Sequence, residues 1–460
     1  MKRNTLHKLF FASALAFCGT AAFAQGTIST IAGTGIAGFS GDGGSAVLAQ
    51  FSYPSGVAVD ASGNIFIADK NNNKIRKIDS WGVISSYAGA GVAGWTPTMT
   101  LNKPVSVFVD AGGEVLFTAW YNDMGFYTDP ATGATYARFG CGSQGSSGDG
   151  GNSCLAKTMT PNGSCEDIYG NTYIADYGSN RIRRVDAATH IITTIVNGTG
   201  ATGYAGDGGL AMDAKTSHPS AVFFDPTSPG QGHLYFSDAN NHVVRKVDLN
   251  TGIITTVAGI GGAAGYSGNW GLATDAKLRN PGNLFIDNAK NMYICDRGNH
   301  AIRKMNLERH VISTVAGTGT AGFSGDGDIS TYAQLSSPQG VWVDNSNNMY
   351  IADAGNNCIR KVTLGVTPTT PRATGTGING STAGNVHMYP NPTDGIAKIN
   401  VTEEYVNAAV SVMNVTGQVV ANTVLDGQYG TIDLTTLPAG TYTIILNASG
   451  KKHIEKLTIN

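Results

Sequence analysis

The chain has 460 residues, 62 of them glycine, with only 13% charged and a formal net charge of −2. That length allows a large core and more than one domain. The slightly acidic balance argues against the basic face of a nucleic-acid binder, and the wealth of Gly, Asn, Thr, Ser, Val and Ile argues against long helices in favour of short strands joined by turns.

Residues 1–24 read as an export signal. Lys2, Arg3 and Lys8 precede an apolar run from Leu9 to Phe17, and Ala22-Phe23-Ala24 supplies a small-x-small cleavage site. Cys18 offers a rival lipoprotein reading, but Phe17 before it fits that signal poorly. Cleavage removes three cations and no carboxylate, leaving 27 basic against 32 acidic residues and a net charge of −5. No later segment carries the ~20 apolar residues of a membrane helix.

From residue 26 to 364 the chain repeats itself. PSGVAVDASGNIFIADKNNNKIRKID at 54–79 returns as PQGVWVDNSNNMYIADAGNNCIRKVT at 338–363, with related copies from Pro104, Pro161, Pro219 and Pro281. A second phrase, ISTVAGTGTAGFSGDGD at 312–328, recurs between copies. Each copy holds four short β runs, and four strands repeated radially make a propeller blade. The sixth copy ends after its third strand, at Thr363. Ile28-Ser29-Thr30-Ile31-Ala32 matches the missing fourth, so the first strand is expected to close the ring and remove its open edges. The fold expected is all-β: a six-bladed propeller of four-stranded blades.

Each copy keeps an aspartate after its first strand (Asp60, Asp110, Asp167, Asp225, Asp287, Asp344), where a hairpin turn begins. Five copies also pair an aspartate with an arginine seven residues on: Asp69 with Arg76, Asp176 with Arg183, Asp238 with Arg245, Asp296 with Arg303, and Asp353 with Arg360. Blade two has Ala119 and Phe126 instead. Joint loss of both charges marks the pairs as structural salt bridges. His242 and His300 occupy matching turn positions and lack a metal-ligand motif, and the GDGG phrases carry too few acids for a calcium loop, so no metal or other cofactor is expected.

Blade two departs most from the repeat. Trp120, Tyr121, Phe126 and Tyr127 replace its charges, Trp95 lies in the loop before it, and Asn269 and Trp270 lie in a later loop. Aromatic rings present area at low entropy cost, so these seven are the candidate ligand-binding residues. Cys141 and Cys154 bracket one short loop and are the disulfide candidate; closing it contributes about 3 kcal/mol.

The repeat portion resembles the NHL-repeat family, through the P-x-G-[VI]-x-V-D and [VI]-A-D-x-x-N phrases quoted above. The resemblance implies a propeller but no single activity, since such scaffolds serve as binding modules and as enzymes. A Thr/Gly/Pro-rich linker spans 365–386. Residues 387–460 alternate like a compact β-sandwich and resemble the type A C-terminal sorting domain of the type IX secretion system, found in Bacteroidetes. Tyr389-Pro390-Asn391-Pro392, VMNVTGQVV, IDLTTLPAGTYTIIL and KKHIEKLTIN carry that likeness. It implies the secretion machinery as a partner and a secreted or surface location.

The expected role is a monomeric, non-catalytic extracellular binding module for a glycan or a protein. The alternative is a metal-dependent lactonase-like or lyase-like propeller, for which Glu166, His218 and Asn283 are the scattered candidates near the channel.

Overall fold

The computed structural model describes residues 26–91, 100–228, 232–363 and most of 386–459. The signal segment 1–24, Trp95 and nearly all of the linker lie outside the described residues. The chain divides into two compact units, Met1–Arg372 and Ala373–Asn460.

The first unit is a six-bladed propeller. Each blade is a four-stranded antiparallel sheet; the first has strands Pro54–Val59, Ile65–Asp69, Lys74–Ile78 and Ile84–Ala88. In the last blade the N-terminal strand Thr27–Ala32 adds to Cys358–Thr363, with Thr27 opposite Thr363 and Ala32 opposite Ile359. The ring therefore closes as the repeat predicts, and six sheets share a circle without a free outer edge at the join.

The two inner strands of each blade are buried along most of their length because blades pack against neighbours on both faces. Ile67, Phe117, Ile174, Phe236, Ile294 and Ile351, one from the second strand of each blade, are fully buried. The innermost strands approach closely. A Cβ on Gly56 would lie 2.9 Å from the Val107 backbone nitrogen, so only glycine fits there.

A second device binds each blade to the next. The turn after each second strand ends in a left-handed residue: Asn73, Asp123, Asn180, His242, His300 and Asn357. The side chain of each accepts the backbone N–H of a residue in the following blade. The donors are Lys103 (3.0 Å), Thr160 (2.8 Å), His218 (2.9 Å), Asn280 (3.2 Å), Ser337 (3.0 Å) and, across the closure, Tyr53 (2.9 Å). His242 and His300 are thus the turn residues their repeat position predicts. They accept through Nδ1, which requires the neutral ring.

The second unit holds two sheets around one core. Val386–Tyr389, Ile396–Val401 and Tyr429–Asp433 form a three-stranded sheet. Val419–Val424, Ala409–Met413, Gly440–Ala448 and Lys451–Ile459 form a four-stranded one. Val410, Val412, Ile444, Leu446 and Leu457 alternate into the shared interior. This is the small β-sandwich expected.

Candidate functional site

The five Asp/Arg pairs lie deep in the blades. Each arginine is fully buried, as is its aspartate. The separations are 3.4 Å for Arg76–Asp69, 3.9 Å for Arg183–Asp176, 3.7 Å for Arg245–Asp238, 3.3 Å for Arg303–Asp296 and 3.5 Å for Arg360–Asp353. The closer carboxylate in four blades comes from the GDGG or GDGD phrase. Asp42, Asp149 and Asp207 each stand 2.6 Å from their arginine and Asp326 2.7 Å. Backbone carbonyls complete the shell, such as Lys215 and Ala205 on Arg245 at 2.9 and 3.0 Å. Each buried aspartate also accepts a backbone N–H from the lead-in to its own blade, as Asp238 does from Ser217 at 2.7 Å. Burial raises Asp69, Asp176, Asp238, Asp296 and Asp353 to about 6 despite these donors. The arrangement clamps each long loop onto its blade and exposes no reactive group.

The channel mouth is different. The short 3-10 turn after each second strand begins with Lys70, Trp120, Tyr177, Ala239, Arg297 or Ala354, and these six residues ring the axis at one end. Lys70, Trp120, Tyr177 and Arg297 line a cavity there, floored by Ser55, Ser106, Asn162, Ser220, Asn283 and Gln339. The Lys70 ammonium stands 4.2 Å from the Trp120 ring centroid and 5.6 Å from that of Tyr53. Trp120 stacks on Tyr121 with centroids 5.3 Å apart and planes 2° from parallel. Tyr177 meets Trp120 edge-on at 6.1 Å and packs on His218 at 4.6 Å. Lys103 lies 5.4 Å over Tyr121. Arg297 donates to Gln339, whose amide donates to the Tyr53 hydroxyl.

No carboxylate is ion-paired with Lys70 among the described residues. Burial, then Lys103 and Arg297, lowers it to about 8. The Trp120 indole N–H is shielded from solvent and has no hydrogen-bond partner. Three cations, a half-buried indole and an exposed phenol ring therefore converge, and among the described residues no carboxylate is ion-paired with any of the three cations. Such a surface suits a ligand with a flat apolar face beside a negative group.

The sequence-derived candidates scatter. Trp120 and Tyr121 meet at the mouth. Tyr127 lies on blade two beside Tyr136, 5.5 Å away, with the Arg138 guanidinium 4.2 Å over its ring. Phe126 is corrected to a core residue: it takes the arginine position of its blade and stacks on buried Phe117 at 5.7 Å. Asn269 is also corrected. It occupies the loop-aspartate position of blade five and accepts from Arg303 at 3.1 Å, so it serves the clamp. Trp270, 44% exposed, lines a separate recess with Lys304, Arg309 and Val311.

All five described cysteines are free thiols, so the expected Cys141–Cys154 bridge is absent. Cys154 belongs to the 3-10 turn Ser153–Leu155, and its thiol meets the Ala137 carbonyl at 3.5 Å instead.

Glu166, His218 and Asn283 do not converge. Glu166 sits at the far end of the channel on Arg138 (3.1 Å), His218 stacks at the mouth, and the Asn283 side chain accepts from Val341 N at 3.3 Å. Among the described residues no group of three or more His, Cys, Asp or Glu has metal-binding geometry. Lys70, Tyr53, Tyr177 and Arg297 were missed by reading along the chain. Lys70, Tyr177 and Arg297 become visible when the six copies are aligned and the first residue after each second strand is read as a column; Tyr53, just before Pro54, falls outside that column.

Fold and site define a propeller with an aromatic, cationic mouth at one end of its channel. Comparison with known proteins adds two family matches. Residues 387–460 match the Secretion system C-terminal sorting domain, and residues 33–107 match the Teneurin NHL domain. The propeller portion thus matches NHL-repeat proteins, and residues 387–460 match a type IX C-terminal sorting domain, which indicates secretion and a cell-surface location.

Among curated proteins, human NHL repeat-containing protein 2 is 26% identical over 298 residues, covering 58% of this chain. The chain spans only 40% of that relative's length. Among solved structures, a protein of unknown function from Bacteroides thetaiotaomicron aligns with a TM-score of 0.57 at 18% identity, covering 73% of this chain and 75% of that one. An auxiliary nutrient binding protein from the same organism aligns at 0.54 and 19% identity, covering 73% and 76%. At such identities these structures establish the fold. No helix among the described residues is long and apolar enough to cross a membrane.

Proposed function

We propose that the propeller is a non-catalytic extracellular binding module whose ligand sits at the channel mouth on Trp120 and Tyr121. The observation that carries this reading is the stacked pair beside Lys70, Lys103 and Arg297, none of which is ion-paired with an acid among the described residues. A carboxylated saccharide fits that chemistry. One sugar face stacks on the rings, the carboxylate meets the ammonium groups, and the orphan indole N–H gains an acceptor. A nutrient-capturing role, as in the name of the Bacteroides fold neighbour, is consistent with a secreted or surface-held protein of this kind.

The test is a glycan array probed with the mature full-length protein. Carboxylated sugars are expected to be retained over neutral ones. Trp120→Ala should weaken capture by about 2 kcal/mol, roughly 30-fold. Retention of neutral sugars alone, or capture unchanged by Trp120→Ala, would contradict the proposal.

A further inference from the structure

The opposite end of the channel opens into a funnel of about 630 Å³, within the size range of small-molecule sites. Its floor is a closed cycle of four rings from four innermost strands. Phe108 meets Phe223 at 6.2 Å, Phe223 meets Phe285 at 5.2 Å, Phe285 meets Trp342 at 4.8 Å, and Trp342 meets Phe108 at 5.9 Å. The same repeat position carries Ala58 in blade one and Cys165 in blade three. The aromatic layer stands between this funnel and the mouth, whose lining ends two or three residues earlier on each innermost strand.

The wall above the rings is acidic. Asp60, Asp110, Glu166, Asp167, Asp287 and Asp344 line it, and no lysine or arginine does. Glu166 is paired with Arg138, but none of the five aspartates has an ion-pair partner within 4.0 Å among the described residues. Their hydrogen-bond donors are neutral. Asp344, for example, accepts from the Asn348 backbone and side chain and from the Tyr350 hydroxyl, all within 3.0 Å. These donors fix the carboxylates without cancelling their charge. Of the lining acids Arg138 reaches only Glu166, at 3.1 Å from outside the lining, and Lys77, Lys304 and Lys361 lie over Phe66, Tyr293 and Tyr350.

We infer that this funnel is a second binding site, for an organic cation carrying an apolar body, such as an aryl-alkyl ammonium. The rings hold the apolar part and present their negative faces to the ammonium, and the aspartates hold the potential negative across the opening. The mouth and the funnel thus take ligands of opposite charge.

Calorimetric titration of the full-length protein with phenethylammonium chloride, and in parallel with phenethyl alcohol, tests the assignment. The ammonium should bind saturably and roughly tenfold more tightly than the alcohol. Trp342→Leu should weaken it by about the same factor. Asp110→Asn, which keeps the side-chain acceptor for Glu114 N, should weaken it about threefold, with the loss shrinking at high salt. Should Trp342→Leu fail to fold, the alcohol comparison and Asp110→Asn decide. Equal affinity for alcohol and ammonium, no saturable heat for either, or affinity untouched by every folded variant would overturn the inference.

Discussion

Blades two and four have the same strands in the same order and opposite interiors. In blade four Arg245 is fully buried between Asp207 and Asp238, with Phe236 directly across on the neighbouring strand. In blade two Phe126 takes the arginine position, Ala119 the aspartate position, and Phe117 lies across from it. The loop before blade two also lacks the GDGG or GDGD phrase that supplies the second carboxylate in four other blades. All three charges are lost together. A buried guanidinium needs a full shell of acceptors; five blades keep one, with Asn269 in place of the loop carboxylate in blade five, and blade two fills the space with a stacked ring. Blade two needs no clamp, and its turn carries Trp120 to the channel mouth.

The widest gap between the two interiors should open on Arg245→Met. It strands two carboxylates, one fully buried, and should cost about 3–5 kcal/mol in chemical denaturation of the propeller. Copying blade two into blade four, with Asp238→Ala and Arg245→Phe together, should recover all but about 1–2 kcal/mol, since Phe236 is already in place to stack. A double variant as unstable as the single one would mean that the two interiors are not interchangeable.

The junctions sharpen the comparison through pH. Blades four and five clasp their neighbours through His242 and His300 where blades one, three and six use asparagine and blade two uses Asp123. Burial holds both histidines below 6.5. A base depressed in the folded state lends stability that is present above pH 6.5 and lost as pH falls through the folded value. Melting curves from pH 7.5 to 5 should therefore fall more steeply for the native chain than for His242→Asn/His300→Asn. Parallel curves would remove the histidines from the clasp. The smallest effect belongs to blade five. Asn269→Asp restores the loop carboxylate to Arg303 at an exposed position, worth about 0.2–1 kcal/mol.

The ring, its N-terminal closure and the Asp/Arg pairing were legible because six copies of one unit expose the repeat and its break. The loop carboxylate was not. Asp42 lies 34 residues before Arg76, outside the window in which motif spacing is read, although its absence from blade two's loop was a visible trace. Phe126 misled because an aromatic in a divergent segment reads alike whether it faces core or solvent. Its alignment with Arg76 and the alternation of Met124, Phe126 and Thr128 into the blade mark it as interior. Trp120 and Tyr121 stood out through that same divergence, and the fold stacks their rings together. Lys70, Tyr177 and Arg297 each look ordinary in their own copy and gain meaning only when the ring brings them together.

Hydrogen exchange of the mature protein, with and without the saccharide selected on the array, tests the binding face most directly. The account predicts slowed exchange in the turns Lys70–Asn73 and Trp120–Asp123 and around Lys103, with the hairpins at Asp60–Gly63 and Asp344–Asn347 unchanged. Protection confined to those hairpins, or to the sorting domain, would contradict it.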